Sequence, residues 1–304
     1  MADLSVSIGS LKLKNPVLTA SGTFGYGTEY LKYFDIGKIG GIITKTITLE
    51  ERAGNQPPRI AETPAGILNS IGLANVGVER FMKEKIDRLR DLNTAVIVNI
   101  AGNTIDEYGL VTRKISKHSR VDAIEVNISC PNVAQGGLAF GTDPEFTLAI
   151  TKRVRQETGK PVIVKLTPNV TNIVTVAKAA AEGGADSLSL INTMLGMSID
   201  IETHRPRLGR GAGGLSGPAI KPIAIAKVYQ VSQNLDLPLI GIGGIMDWRD
   251  AVEFMIAGAT AIQVGTLTFV HPDGALRVAE GLGEFCREKE LDRLESIVGS
   301  VKKN

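Results

Sequence analysis

PVIVKLTP, residues 161–168, sets four apolar residues around one lysine and closes on a proline. A run that is apolar on both of its alternating faces reads as a strand buried on both sides, as parallel strands are. Seven more runs of this kind recur along the chain. They are PVLTASG (16–22), GGIITKTIT (40–48), TAVIVNIAG (94–102), AIEVNISC (123–130), SLSLINT (187–193), LPLIGIGG (237–244) and AIQVGT (261–266). The spacers between them read as helices. Residues 75–91 put Val78, Phe81, Met82, Ile86 and Leu89 on one face, with charges opposite. Asp143 followed by Pro144 marks a helix start, an N-cap acid and then proline in the first turn. Residues 170–183, 218–233, 247–257 and 273–289 also carry helical patterns. Eight strands alternating with helices predict a parallel sheet, and right-handed crossovers close it into a (β/α)8 TIM barrel. With no linker and no shift in composition, residues 1–304 read as one domain. An open, doubly wound sheet is the alternative. It needs no eighth strand and usually carries its glycine loop after the first.

Composition narrows the classes. With 43% hydrophobic and 22% charged residues, the chain has the mix of a soluble globular protein with a large core. Thirty-four Lys and Arg against 32 Asp and Glu leave a net charge of +2, with the basic residues scattered. Neither a nucleic-acid footprint nor a polybasic membrane anchor is expected. The two cysteines, Cys130 and Cys286, are far apart. They suit neither a disulfide framework nor the four thiolates of an iron–sulfur cluster. His118, His204 and His271 do not cluster, so no metal site and no Ser-His-Asp triad is expected. The N-terminal stretch has no apolar signal core, and no run reaches the length of a membrane span. The expectation is a cytoplasmic protein.

In a barrel the chemistry sits at the C-terminal ends of the strands. Those ends carry Ser21-Gly22-Thr23, Lys45-Thr46, Asn99, Asn127 with Cys130, Lys165, Asn192-Thr193, Gly243-Gly244 and Gly265-Thr266. Contact with water explains one or two polar residues there. It explains two lysines, three asparagines and two glycine-containing turns less well. Lysine is seldom buried without a partner, so Lys45 and Lys165 suggest an anionic ligand. GIGGIMD and VGT end the last two strands, where many barrels bind phosphate through backbone N–H groups that glycine lets approach closely. Either loop alone is equally well a tight turn; the two together favour a phosphorylated cofactor or substrate.

A lone cysteine is ordinarily a small core hydrophobe. Cys130, however, lies at a strand's active end, and the glycine-rich stretch NVAQGGLAFGTDP follows the adjoining proline, suited to closing over a substrate. Cys286 falls on an amphipathic helix and reads as packing. Residues 209–214, GRGAGG, match the G-x-G-x-x-G pattern, but THRPRL before them makes a poor buried strand and Asp236 precedes a strand instead of ending one. Residues 195–216 are read instead as a long excursion after the sixth strand, with arginines facing a partner or solvent.

These residues resemble class 1 dihydroorotate dehydrogenases over essentially the whole chain. The resemblance is carried by NPVLTASGTFGYG (15–27), TKTIT (44–48), PAGILNSIGLAN (64–75), VNIAG (98–102), IEVNISCPN (124–132), KLTPN (165–169), LINT (190–193), GLSGPAIKP (214–222), GIGGI (241–245) and VGT (264–266). The membrane-associated class has serine where Cys130 stands and an added N-terminal segment, and the sequence shows neither. SCPNVAQGGLAFGTDP (129–144) is similar to subtype B, the NAD-linked form; the fumarate-linked subtype has a different loop there.

The resemblance implies one flavin mononucleotide (FMN) at the C-terminal ends of the strands. Ser21, Lys45, Thr46, Asn99, Asn127, Lys165, Ile191, Gly217, Gly243, Gly244, Gly265 and Thr266 would hold it. Lys165 would place its cation near the N1–C2 edge of the flavin. Lys45, Asn69, Ser70, Ile71, Gly72, Leu73, Asn127, Asn132, Asn192 and Thr193 would hold dihydroorotate; several relatives have methionine where Ile71 stands. Cys130 is the implied catalytic base, with Lys45 beside it in the catalytic set. The implied assembly is a heterotetramer around a homodimer core, in which a partner subunit carries FAD and a [2Fe–2S] cluster. Other readings stay open: a flavin oxidoreductase acting on dihydrouracil or dihydrothymine, a fumarate-linked dihydroorotate dehydrogenase, and a barrel kept as a scaffold without FMN.

Overall fold

The computed structural model describes residues 2–129, 131–132 and 138–302. The eight apolar runs are strands: β1 (Val17–Thr19), β2 (Gly41–Ile43), β3 (Ala95–Ile100), β4 (Ala123–Asn127), β5 (Val162–Leu166), β6 (Ser187–Leu190), β7 (Leu239–Ile242) and β8 (Ala261–Val264). Each pairs in parallel with its neighbour in sequence, and β8 pairs with β1, so the sheet closes into a barrel. That closure excludes the open, doubly wound alternative. Around it run α1 (Gly77–Glu84), α2 (Ile105–Ile115), α3 (Pro144–Gln156), α4 (Ile173–Glu182), α5 (Lys221–Ser232), α6 (Trp248–Ile256), α7 (Leu267–Val270) and α8 (Gly274–Glu288). The core strands and helix faces pack in one large apolar cluster that includes Val78, Phe81, Ile86 and Leu89, while Met82 is only partly buried.

The helix starts follow local chemistry. Asp143 caps α3, its side chain accepting from the Glu145 N–H, with Pro144 in the first turn. Asp247 and Asp250 form a reciprocal capping box on α6. The pattern reading omits α2, although its cap is plain: the Thr104 side chain accepts from the Glu107 N–H. Glycine within α2 and the polar start TIDE weaken its apolar stripe, yet Tyr108, Val111 and Ile115 are fully buried.

Side chains alternate along a strand, so inward positions recur every second residue. At the N-terminal end of the barrel, Leu18, Ile43, Ile97, Ala123, Ile163, Ile240 and Ala261 share one apolar cluster. A hairpin of Val6–Ile8 with Leu11–Leu13 adds Val6, Ile8 and Leu13 to that cluster, closing this end. Three-residue strands leave too little pattern for this hairpin to be read in advance.

The excursion after β6 has a definite structure. Met194–Met197 pairs with Ala212–Ser216, which pairs with Gly66–Asn69, which pairs with Ile60–Thr63. The four form an antiparallel sheet whose residues line the cleft together with the strand ends. The second half of the GRGAGG motif, residues 212–214, belongs to this sheet. A Cβ on Gly213 would fall 2.4 Å from the Asn69 carbonyl oxygen and one on Gly214 would fall 2.1 Å from Thr193 Oγ1. Close packing of the sheet thus accounts for those two glycines. Arg205, Arg207 and Arg210 are exposed.

Candidate active site

Two residues beyond the apolar layer the barrel interior turns polar. Lys45, Asn99, Glu125, Lys165 and Gln263 follow Ile43, Ile97, Ala123, Ile163 and Ala261 at that spacing. Glu125 is fully buried. Its Oε2 accepts from Asn99 Nδ2 at 2.6 Å and lies 3.7 Å from Lys165 Nζ. Its Oε1 accepts from Ser189 Oγ at 2.8 Å and from Gln263 Nε2 at 2.5 Å. Lys165 Nζ also donates to Ser21 Oγ at 3.3 Å, reaching from β5 to the end of β1.

Lys165 therefore has a protein counter-ion. This revises the expectation that both strand-end lysines lack a partner: Glu125, inside the apolar run AIEVN, is the counter-ion of Lys165. Lys45 is the lysine that fits the expectation. It is half-buried and has no ion-pair partner among the described residues. Burial pushes its ammonium below the ordinary lysine range, and the neighbouring charge of Arg59 adds to this, while Glu29 opposes.

Above this layer lies an open cleft. Ser21, Lys45, Thr46, Asn127, Lys165, Ile191, Gly217, Gly243, Gly244, Gly265 and Thr266 all line it. So do Asn69, Ile71, Leu73, Asn192 and Thr193. Asn99 is fully buried and touches the cleft's polar floor through Glu125. Ser70 and Gly72 do not line the cleft; Ser70 accepts from Asn55 Nδ2 at both its carbonyl and its hydroxyl. Asn132 is described by its backbone alone, paired with Leu138. Cys130 and residues 133–137 lie outside the described residues.

The asparagines are held by one another. Asn192 Nδ2 donates to Asn127 Oδ1 at 3.2 Å and to Ser129 Oγ at 2.8 Å. The Asn127 carbonyl accepts from the Tyr108 hydroxyl at 2.8 Å, so α2 fixes the end of β4 from behind. On the far side, Thr266 Oγ1 donates to Ser216 Oγ at 3.0 Å, joining the end of β8 to the covering sheet. Ser129, Ser189, Ser216, Glu125 and Gln263 were not among the residues singled out in the sequence. The acid and amide within otherwise apolar strands were the available signal.

The glycine turns at β7 require glycine. Gly244 has φ 77°, and a Cβ there would lie 2.8 Å from the Gly217 carbonyl oxygen. Gly244→Ala must therefore distort this wall of the cleft; left-handed backbone alone costs an ordinary residue about 1–2 kcal/mol. The expected result is a folded protein that melts roughly a few degrees below wild type, read by a thermal melt.

Barrel and cleft define an enzyme whose polar groups gather at the strand C-termini, beneath a covering sheet. The chain belongs to the dihydroorotate dehydrogenase family, whose model matches residues 3–286, and is accordingly an oxidoreductase. It is 54% identical over 299 residues to "Dihydroorotate dehydrogenase B (NAD(+)), catalytic subunit" of Geotalea uraniireducens, covering 98% of each chain. The protein of the same name from Bacteroides thetaiotaomicron is 50% identical over 301 residues, covering 99% of each. A solved structure described as DHODH in complex with ferulenol from Eimeria tenella superposes with a TM-score of 0.82. It is 24% identical, with 98% of this chain and 88% of that chain covered, and so bears on the fold alone. No helix among the described residues is long and apolar enough to cross a membrane. Among them, too, no group of His, Cys, Asp and Glu is arranged to hold a metal ion.

Proposed function

We propose that this chain oxidises (S)-dihydroorotate to orotate in pyrimidine biosynthesis, as the FMN-bearing catalytic subunit of an NAD-linked enzyme. The observation that carries this reading is Lys45, a desolvated cation without an acidic partner among the described residues, sharing a cleft with the Asn127–Asn192 pair. Dihydroorotate is a cyclic amide bearing a carboxylate. Lysine matches the carboxylate, and asparagine both donates to and accepts from a ring of alternating N–H and C=O groups.

The family is flavin-dependent, and the residues present fit FMN. Asn99 Oδ1 is a buried acceptor with no hydrogen-bond donor among the described residues, a state that costs about 1–3 kcal/mol. Gly217, Gly243, Gly244, Gly265 and Thr266 would hold the phosphate end, and Asn99, Asn127 and Lys165 the ring. Bound there, FMN would supply a two-electron acceptor for the hydride from C6 of the substrate.

The chain's own residues manage binding and the proton. Lys45 orients the carboxylate, and Asn69, Asn127, Asn192 and Thr193 orient the ring, with Asn132 closing the set. Cys130 takes the proton from C5 as a thiolate base, and forms no covalent bond to the substrate. Ile60, Ile67, Ile71 and Leu73 of the covering segment line the cleft and exclude water from the ring.

Electrons leave through a second subunit carrying FAD and a [2Fe–2S] cluster. Two cysteines in 304 residues cannot ligate such a cluster here. Purification from the native source should yield a second, cysteine-containing flavoprotein bound to this chain. The chain alone should reduce its flavin with dihydroorotate yet reduce NAD poorly. Efficient NAD reduction by the isolated chain would refute the need for a partner.

A further inference from the structure

We propose that Glu125 is a positioning residue that sets the reduction potential of the bound flavin through Lys165 and Asn99. This rests on the reading of the cleft as an FMN site. Three donors and one cation converge on the two oxygens of Glu125, so it serves as an acceptor and a counter-charge. The layer below it is wholly apolar, and a barrel can be filled without an internal acid. An acid at this depth therefore has work beyond packing.

Two consequences follow from the geometry. By accepting the Asn99 amide hydrogen, Glu125 fixes the orientation of that amide and leaves Asn99 Oδ1 without a donor among the described residues. By lying 3.7 Å from Lys165 Nζ, it offsets positive charge that Lys165 brings to the cleft. Reduced flavin carries more negative charge than oxidised flavin, so an uncompensated Lys165 favours reduction. Glu125 moderates that bias and keeps the flavin able to pass its electrons on.

The test is the midpoint potential of the FMN-loaded protein, measured by dye equilibration. Glu125→Gln keeps the shape and removes the charge. It should shift the oxidised-to-reduced equilibrium at least tenfold toward reduced, about 30 mV upward for a two-electron couple. Lys165→Met should shift the potential downward. Should Glu125→Gln not fold, Glu125→Asp, which keeps the charge and withdraws the carboxylate from Lys165 by one methylene, should also raise the potential, and a wild-type potential there would overturn the proposal. An E125Q protein that binds FMN at the wild-type potential would overturn it too, leaving Glu125 a purely structural group that moves only the melting temperature. Wild-type protein that takes up no FMN would instead overturn the underlying flavin reading along with it.

Discussion

A Cys130→Ala protein should keep its yellow colour and lose flavin reduction by dihydroorotate by roughly 10²–10⁴-fold, the range that a positioned general base contributes. The two halves of this result come from different parts of the barrel. The groups proposed to hold FMN lie at the C-terminal ends of all eight strands and at Gly217, and residue 130 is not one of them. Flavin content is therefore expected to be unchanged. The C5 proton, by contrast, has one proposed acceptor. Asn127 and Ser129 stand just before Cys130 in the chain, and Asn127 lines the cleft, but both are tied to Asn192 by hydrogen bonds and neither is a base at neutral pH. Because the thiolate is the active form, the wild-type rate of flavin reduction should rise with pH until the thiol is ionised. The variant should lack that limb. Stopped-flow absorbance of the flavin reads both rate and profile, and a variant reducing its flavin at the normal rate would remove Cys130 from the mechanism.

Lys45→Met should weaken binding of dihydroorotate or orotate by roughly 10- to 150-fold. That is the loss of one hydrogen bond to a charged group, about 1.5–3 kcal/mol, at 1.4 kcal/mol per decade. The pH dependence has a definite sign. Only the ammonium form pairs with a carboxylate, and burial lowers the Lys45 pKa from its ordinary 10.5. Affinity should therefore begin to fall, as pH rises, below the range where an exposed lysine deprotonates. Stability runs the other way. Between the depressed folded value and the unfolded value, the unfolded chain binds more protons, so the Lys45 contribution to stability improves as pH rises through that window. At neutral pH the buried charge is a cost, and Lys45→Met is expected to melt no lower than wild type. Titration calorimetry against orotate and a thermal melt separate the two effects. A variant that binds orotate normally would take Lys45 out of the substrate site.

Much of this was legible because the barrel obeys a two-residue period. PVIVKLTP, AIEVNISC and GGIITKTIT each place an unusual residue within or just past an apolar strand, and the structure brings Lys165, Asn127 and Lys45 to one cleft. The same rule, applied to the strand interiors as well as the strand ends, finds Glu125 and Gln263, which lie among apolar neighbours for no reason of packing. The rest was hidden for a physical reason. The covering sheet is built from residues 60–69 and 194–216, whose paired residues, such as Gly214 and Asn69, lie about 145 positions apart, and its strands are short, glycine-rich and half-exposed. Such pairing depends on contacts between distant segments, which no local pattern encodes. The plug hairpin at residues 6–13 is too short to show a period. The counter-ion of Lys165 was likewise a tertiary fact, arising where β4 and β5 pair side by side.

The central claim is that dihydroorotate delivers its electrons to FMN held in this cleft. The direct measurement is an anaerobic titration of the purified, FMN-loaded chain with dihydroorotate, following the flavin absorbance. The account predicts stoichiometric bleaching of the flavin with formation of orotate, and none with dihydrouracil, which lacks the carboxylate that Lys45 is proposed to hold. Bleaching by dihydrouracil and not by dihydroorotate, or no bleaching by either, would contradict it.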